Sequence, residues 1–311
     1  MAMQKPYTSG RFMLELENNG QNVPVGFITS IDGGHFKSEP VKYLDGTSLR
    51  PTLFPGKPKY DDITIQMGIA VAPAFWDWVK ATLNGKHERR SGAIVGYDFN
   101  NKEVSRRTFT NAIMAELQLP ALDAAAKNAA LITVKMSPET LTFKKGDGSS
   151  LKLDYAQGEI GKQKQWVTSN FRLTIDKFKG NSMRFTKIEG ITIKQNVINN
   201  AIGTQLESLK EFGRLEVPNL VVTFPEAYAP DWWDWYQDTV VNGNHGNATT
   251  AEIAYLSYNL ADTLMTLNMD GVQLLSIETE KYEASKEQIS KVKATLTVEA
   301  MDLKKGAGNA A

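Results

Sequence analysis

The sequence lacks several features on which whole classes of protein depend. Its 311 residues include no cysteine and only three histidines. Without cysteine there are no disulfides, thiolate metal sites or cysteine nucleophiles. His35, His87 and His245 all fall in polar segments, and their spacing is not that of a zinc site. We therefore expect no metal ion and no cofactor.

Long apolar runs and an excess of one charge are also missing. No segment approaches the roughly 18 consecutive apolar residues of a membrane helix, and residues 1–10 lack the apolar centre of a secretory signal. The 35 basic residues balance the 35 acidic ones, which argues against binding nucleic acid through its phosphates. No glycine-rich phosphate loop and no convergent polar site is visible. We expect a protein that folds in the cytoplasm, binds no membrane and is not an enzyme.

What the sequence does contain is a repeated aromatic segment. Ala72–Trp78 reads APAFWDW and Ala229–Trp235 reads APDWWDW, an offset of 157 residues. Five of the six tryptophans lie in these two copies, and an Asn-Gly pair follows each copy. A repeat of this length indicates a tandem duplication of one domain, which favours a structural unit over a single catalytic pocket.

The segments around the aromatic repeat predict the same order of elements twice. Phe12 and Phe171 each open a stretch of alternating apolar residues, which indicates a strand with one buried face. Long polar segments at residues 35–59 and 194–214 predict protruding hairpins or loops. Further alternating segments follow the aromatic one, so each half is expected to hold roughly six to eight strands and one helix.

These patterns predict a mainly β fold of two tandem domains, each a β-sandwich or barrel with one flanking α-helix. The last strand of each half aligns at residues 131–136 and 295–300, an offset of 164, whereas Asn111 aligns with Asn268 at 157. We therefore expect an insertion of several residues in the second half. The expected boundaries are residues 1–145 for the first domain, 146–169 for a linker, 170–305 for the second domain and 306–311 for a flexible tail.

The aromatic segments are predicted to be helices. Pro73 and Pro230 suit the first helical turn, and apolar residues follow at three- and four-residue spacing. Aromatic residues at this spacing are typical of a helix pressed onto a sheet. The residues interpreted as core anchors are Phe75, Trp76, Trp78, Trp232, Trp233 and Trp235. The alternative is a partner-binding hot spot, in which tryptophan is enriched.

The order of the motifs resembles the tail tube protein family of contractile bacteriophages and related injection systems. The motifs that carry the resemblance are KYDDITI at residues 59–65, FWDW at 75–78, RRSG at 89–92, FTNA at 109–112 and a strand region at 132–143. The second half keeps the strand and the aromatic helix. It has Asn247 and Ala248 near the position of the basic pair, so it departs from the pattern there.

The resemblance implies rings of domains that stack into the inner tube of a contractile tail or injection apparatus. Strands of neighbouring domains would continue into one barrel around a central channel for DNA or protein cargo, without sequence-specific binding. Sheath and baseplate proteins would be further partners, in a virion tail or an extracellular particle. Two domains per chain then imply trimeric rings with pseudo-six-fold symmetry. The alternative is a tube-end or adaptor protein whose two domains lie in stacked layers.

Two arginine pairs are candidate contacts of such a tube, either facing the lumen or joining subunits. They are Arg89 with Arg90 and Arg106 with Arg107. A solvated surface is the third interpretation of these pairs. Outside the family resemblance, the remaining class is a β-sandwich that binds a ligand or carbohydrate, and it predicts that Trp76 or Trp233 lies at the surface.

Overall fold

The computed structural model describes residues 10–44, 46, 50–69, 71–151, 166–179, 184–244, 248–280 and 289–306. Parts of the sequence predictions lie outside the described residues: residues 1–9 of the expected first domain, residues 152–165 of the expected linker, His245, Asn247 and residues 307–311 of the expected tail.

The first half folds into a closed antiparallel barrel with one flanking helix. Its elements are β1 (Arg11–Asn18), β2 (Gln21–Gly33), β3 (Phe36–Tyr43), β4 (Thr52–Tyr60), β5 (Ile63–Met67), α1 (Pro73–Leu83), β6 (Arg90–Tyr97), β7 (Glu103–Leu119), β8 (Leu122–Asp123), β9 (Ile132–Ser137) and β10 (Thr140–Lys145). The barrel order is β7-β6-β1-β2-β5-β9, and it closes because the second part of β7 also pairs with β9. β10 pairs with the first part of β7.

The second half repeats this arrangement. Its elements are β11 (Phe171–Ile175), β12 (Lys187–Ile188), β13 (Ile191–Asn200), β14 (Leu209–Glu216), β15 (Leu220–Pro225), α2 (Ala229–Tyr236), β16 (Thr249–Leu256), β17 (Thr263–Thr279), β18 (Lys291–Thr297) and β19 (Ala300–Lys305). The sheet order is β11-β16-β17-β18-β15-β12, and β19 pairs with β17 as β10 pairs with β7. The chain is thus mainly β, with two barrel-like sheets that each carry a helix, as the sequence predicted.

Strand pairing allows residues of the two halves to be matched one by one. We call two residues counterparts when they hold the same place in corresponding pairings. Ile63 pairs with Met136 in the first half, and Leu220 pairs with Leu296 in the second. Met136 and Leu296 are therefore counterparts at an offset of 160, and the predicted offset of 164 for the last strands is wrong.

The counterpart of Asn111 is also not the predicted one. Ala112 pairs with Arg90 as Val272 pairs with Thr249, which makes Gly271 the counterpart of Asn111. Asn111 and Gly271 have φ values of 49° and 66°. Both residues adopt the left-handed conformation that asparagine and glycine tolerate. The alignment with Asn268 matched residue type, whereas the fold preserves this backbone bend in the long strand.

The helical segment of the second half is one residue longer than that of the first half. Thr82 donates a hydrogen bond to the Trp78 carbonyl and Thr239 donates one to the Trp235 carbonyl, so both helices start in the same register. The second helix then continues as a π-helical turn, Gln237–Val241. A π turn accommodates one additional residue without breaking the helix. Within the described residues, neither helix is long and apolar enough to cross a membrane.

The two long polar segments form hairpins with the same register. Lys37 pairs with Lys59 in β3–β4, and Lys194 pairs with Glu216 in β13–β14, so the hairpins are counterparts at an offset of 157. Both have a register shift at the same offset, between Ser38 and Pro40 in β3 and between Gln195 and Val197 in β13. Their surroundings differ, because β3–β4 forms a separate two-stranded sheet, whereas β13–β14 joins the sheet of the first half.

Candidate assembly interface

The hairpin of the second domain extends the sheet of the first domain. β13 pairs antiparallel with the second part of β7, with Ile191 opposite Leu119 and Lys194 opposite Glu116. The alternation of β13 buries Ile191 and Ile193 and exposes Lys194. The strand covers an edge of β7 that otherwise presents unpaired backbone groups. We call the contact of β13–β14 and β19 with the first domain the intrachain junction.

Helix α1 is buried on more than one side because it lies between the domains. It packs against β2 of its own barrel and against β19 of the second domain. Six of its eleven residues are buried, including Trp76 and Leu83. On the side of the second domain, Leu303 of β19 is only 2% exposed. Near the C-terminal end of α1, Leu83 and Ile193 of β13 lie on the same small apolar cavity.

A charged cluster holds the hairpin beside this apolar contact. The Arg89 guanidinium donates hydrogen bonds to the Lys210 carbonyl at 2.6 Å and to Glu211 Oε2 at 2.9 Å. Its central carbon lies 5.1 Å from the Phe212 ring centroid, within the range of a cation–π contact. Glu139 Oε1 accepts the Lys210 amide N–H at 3.2 Å. We call Arg89, Glu139, Lys210, Glu211 and Phe212 the clamp.

The bend in β7 positions the carboxylate of the clamp. Asn111 Nδ2 donates to Glu139 Oε2 at 2.7 Å. Arg89 Nε lies 3.8 Å from Glu139 Oε1, and the Glu139 side chain is almost fully buried. A carboxylate this buried requires a nearby cation and hydrogen-bond donors, so loss of either partner is costly.

The other three predicted arginines pair inside the first domain, within the described residues. Arg90 forms an ion pair with Glu88. Arg107 lies 5.4 Å from the ring of Phe143. The third, Arg106, belongs to a network of its own.

Arg106 joins two carboxylates on the wall of the first barrel. Its guanidinium contacts Glu15 and Glu103, each at 2.7 Å. Burial raises the pKa of Glu15 above its ordinary value, although the hydrogen bond from Arg106 acts in the opposite direction. Burial, reinforced by the two carboxylates, raises the pKa of the neighbouring Tyr97 to about 12. This network stabilises the barrel wall.

The six aromatic residues interpreted as core anchors are not placed alike. Phe75, Trp78, Trp232 and Trp235 are buried, and Trp76 is 5% exposed. Trp233, the counterpart of Trp76, is 42% exposed, so its interpretation as a core anchor is wrong. The two helices have different surroundings, because α1 packs against β19 of the second domain, whereas α2 packs against β17 of its own domain.

Sequence reasoning missed most of the clamp. Arg89 was a candidate contact and Glu139 lies in the strand region at 132–143, but Glu211 and Phe212 carry no motif and lie far from both in the sequence. The alternation of Ile191 and Ile193 was the one local indication of a buried strand at the base of the second hairpin. Its docking partner becomes visible only once the domains are placed together.

Comparison with known proteins points to one family. Residues 9–142 match the sequence profile of the T4-like virus tail tube protein gp19. No curated protein sequence matches the chain.

Several solved structures are similar to less than half of the chain. One is a chain of the anti-feeding prophage baseplate, with 15% identity and a TM-score of 0.39 over 46% of this chain and 97% of that chain. A second comes from the sheath-tube complex of PVC, an extracellular contractile injection system, with 19% identity and a TM-score of 0.38 over 46% and 95%. A third is Hcp1 from Flavobacterium johnsoniae, with 16% identity and a TM-score of 0.28 over 45% and 98%.

The family match and the internal repeat together account for both halves. The matched region runs through the closed barrel and α1 into β10. The second half repeats its strand order, its helix and its hairpin register. Residues 9–142 thus match the tail tube protein family, and the second half of the chain repeats the strand order, the helix and the hairpin register of that region.

Proposed function

We propose that the chain is a structural subunit of the inner tube of a contractile tail or injection apparatus, and that it has no enzymatic activity. The observation that carries the proposal is the intrachain junction, in which one domain places its hairpin on the sheet edge of the next domain. A contact of this kind joins different surfaces of like domains, so it is able to repeat from chain to chain.

The first domain exposes the elements that correspond to the second domain's side of the intrachain junction. Its hairpin β3–β4 is the counterpart of β13–β14, yet every residue of β3 is exposed. Phe36 is exposed whereas its counterpart Ile193 is buried. Phe143 of β10 is 51% exposed, whereas its counterpart Leu303 of β19 is buried under α1. These apolar side chains support docking of the first domain onto another domain.

The second domain has the complementary half. Residues 276–279 of β17 are the counterparts of residues 116–119 of β7, which receive β13. On α2, Trp233 and Val240 are exposed, whereas their counterparts Trp76 and Leu83 are buried on α1, the helix that packs against β19. A second copy of the chain, presenting β3–β4 and β10, supplies the same elements that cover α1 and β7 within one chain.

Head-to-tail contacts of this kind close into a ring when the rotation per domain allows it. A ring of six domains takes three chains, which gives a trimer with pseudo-six-fold symmetry. The side-by-side continuation of the β7 sheet into β13 supports this arrangement over two stacked layers. Rings then stack around a channel that carries DNA or a protein cargo. Sheath and baseplate proteins are the outer partners, in a virion tail or an extracellular particle assembled in the bacterial cytoplasm.

Electron microscopy of the purified full chain tests the proposal. We expect single-layer rings with three chains and six domain-sized densities, and a mass of three chains by light scattering. Six chains in a ring of two layers would instead support the tube-end or adaptor role. A chain that stays monomeric at every concentration would overturn the tube proposal altogether.

The exposure of Trp233 also fits a carbohydrate-stacking site, the second candidate function. Its counterpart Trp76 is buried at a domain junction, which supports assembly instead. The fluorescence of Trp233, isolated by comparison with Trp233→Phe, distinguishes the two. Assembly predicts a blue shift with rising protein concentration, whereas a sugar site predicts a change only when oligosaccharide is added.

A further inference from the structure

We propose that the clamp is a specificity device that decides which hairpin docks on which domain. It commits β13–β14 to the first domain, and it leaves β3–β4 to the second domain of another copy of the chain. The inference rests on the proposed assembly function and adds the residues that set the order of domains in the ring.

The clamp uses two kinds of contact, and only one of them depends on side chains of the hairpin. The Lys210 carbonyl and amide bind Arg89 and Glu139 through the backbone, so any residue at that position is able to make these bonds. The Glu211 carboxylate and the Phe212 ring bind the Arg89 guanidinium through side chains. Selectivity therefore depends on residues 211 and 212.

The hairpin of the first domain lacks both of these side chains. Val41 pairs with Phe54 as Ile198 pairs with Glu211, so Phe54 is the counterpart of Glu211. Pro55 is the counterpart of Phe212 by the same register. A β3–β4 hairpin docked on a first domain would leave Arg89 without its hairpin carboxylate and its aromatic ring.

The second domain lacks the cation of the clamp but keeps the carboxylate. Ala248 is the counterpart of Arg89, because Thr249 and Arg90 hold equivalent pairings. Glu299 is the counterpart of Glu139, since their amides bind the carbonyls of Asp270 and Thr110, each at 3.1 Å.

Both incorrect pairings are therefore disfavoured. If β13–β14 docked on a second domain, Glu211 would face Glu299 with no arginine between them, and like charges repel. If β3–β4 docked on a first domain, Arg89 would lose two of its partners. In the correct contact between chains, Phe54 is buried and Glu299 remains free to accept a backbone N–H. Selection against wrong partners in this way is a common source of specificity.

Charge changes at Phe54 and Ala248 test the inference on the full chain. Phe54→Glu places a carboxylate opposite Glu299, and we expect the concentration for half-maximal ring formation to rise at least about tenfold. Adding Ala248→Arg rebuilds the arginine of the clamp in the second domain, and we expect it to recover about tenfold of that loss. Phe54→Lys removes the same apolar side chain but places a cation opposite Glu299, so it should assemble better than Phe54→Glu. Adding Ala248→Arg to Phe54→Lys should weaken its assembly, because two cations then lie together.

A matched control separates this effect from a general loss of exposed apolar surface. Phe99→Glu changes an exposed phenylalanine whose counterpart, Tyr258, is also exposed, so the intrachain junction covers neither position. We expect Phe99→Glu to form single rings like the wild type, with circular dichroism confirming the fold of every variant.

The outcomes separate the two proposals. If wild-type rings form but Ala248→Arg rescues Phe54→Lys as well as Phe54→Glu, or rescues neither, the specificity role of the clamp is refuted and the tube function stands. If Phe54→Glu assembles like the wild type, the predicted position of the hairpin is wrong. If the wild type forms no rings, the tube function itself fails.

Discussion

Leu303 and Phe143 hold the same position in the two domains but have opposite environments, which makes them a matched pair for substitution. Phe143 pairs with Arg107 in β10–β7, and Leu303 pairs with Leu267 in β19–β17. Leu303 is 2% exposed and Phe143 is 51% exposed. We expect Leu303→Ala to destabilise the single chain, and Phe143→Ala to weaken assembly while destabilising the single chain less than Leu303→Ala does.

The magnitudes follow from burial. Removing a buried leucine side chain costs about 3 kcal/mol of unfolding free energy, through lost transfer free energy and the cavity left behind. Phe143→Ala costs the single chain its cation–π contact with Arg107, about 0.5–1 kcal/mol at an exposed site, and the apolar contacts of the half of the ring that is already covered. No cavity forms at this half-exposed position, so the total stays below that of Leu303→Ala. At the junction between chains, the exposed half of the ring would bury roughly 100 Å², worth about 2.5 kcal/mol or about 60-fold in dissociation constant.

Two assays separate these effects. Urea denaturation followed by tryptophan fluorescence, at a protein concentration below ring formation, measures the stability of the single chain. Light scattering across a concentration series measures ring formation. The reasoning is refuted if Phe143→Ala destabilises the single chain as much as Leu303→Ala does, or if it assembles at the wild-type concentration.

Two further predictions concern the first barrel. Gly33→Ala should lower the free energy of unfolding by well over about 2 kcal/mol, because φ is +83° and the new Cβ would lie 2.1 Å from the Asp62 carbonyl oxygen. Gly20→Ala, at φ +77° in open space, should lower it by only about 1 kcal/mol. Urea denaturation measures both values. Burial raises the folded pKa of Glu15 above 4.5, so the folded chain holds that proton longer than the unfolded chain and stability falls as pH rises from 4.5 through the folded pKa. The stability of Glu15→Gln relative to wild type should therefore improve with pH across that window, and a constant difference would contradict the assignment.

Features that depend on local pattern were predictable from the sequence. Alternation around Phe12 and Phe171 predicted strands, and the aromatic segments with Pro73 and Pro230 predicted both helices. The duplication followed from residue identities alone. These features are local because backbone periodicity is set by which face of a strand or helix is buried.

Two kinds of feature were not predictable from local sequence pattern: which residues of the two halves have the same backbone conformation, and which side chains a second domain covers. Asn111 was matched with Asn268 because the residue types agree, but the fold preserves a left-handed bend that Gly271 supplies. Trp233 was interpreted as a core residue because the spacing of the aromatic residues is typical of a helix pressed onto a sheet. Trp76 is buried on a helix that packs against β19 of the second domain, whereas Trp233 is exposed, and no local pattern contains that information.

The different chemistry of the two junctions follows from their different connectivity. Hairpin β13–β14 belongs to the same chain as its partner, and the covalent connection gives the two halves a high effective concentration, so the contact needs little intrinsic affinity. Charges such as Arg89 and Glu211 suit this role, because they select a partner more than they add binding free energy. A contact between chains must also offset the loss of translational and rotational freedom, about 4–15 kcal/mol, and buried apolar area is the main source of that free energy. Phe54 and Phe143 are apolar and exposed where this second contact is proposed to form. Duplication thus allowed one junction to diverge towards selectivity while the other kept the apolar surface that drives assembly.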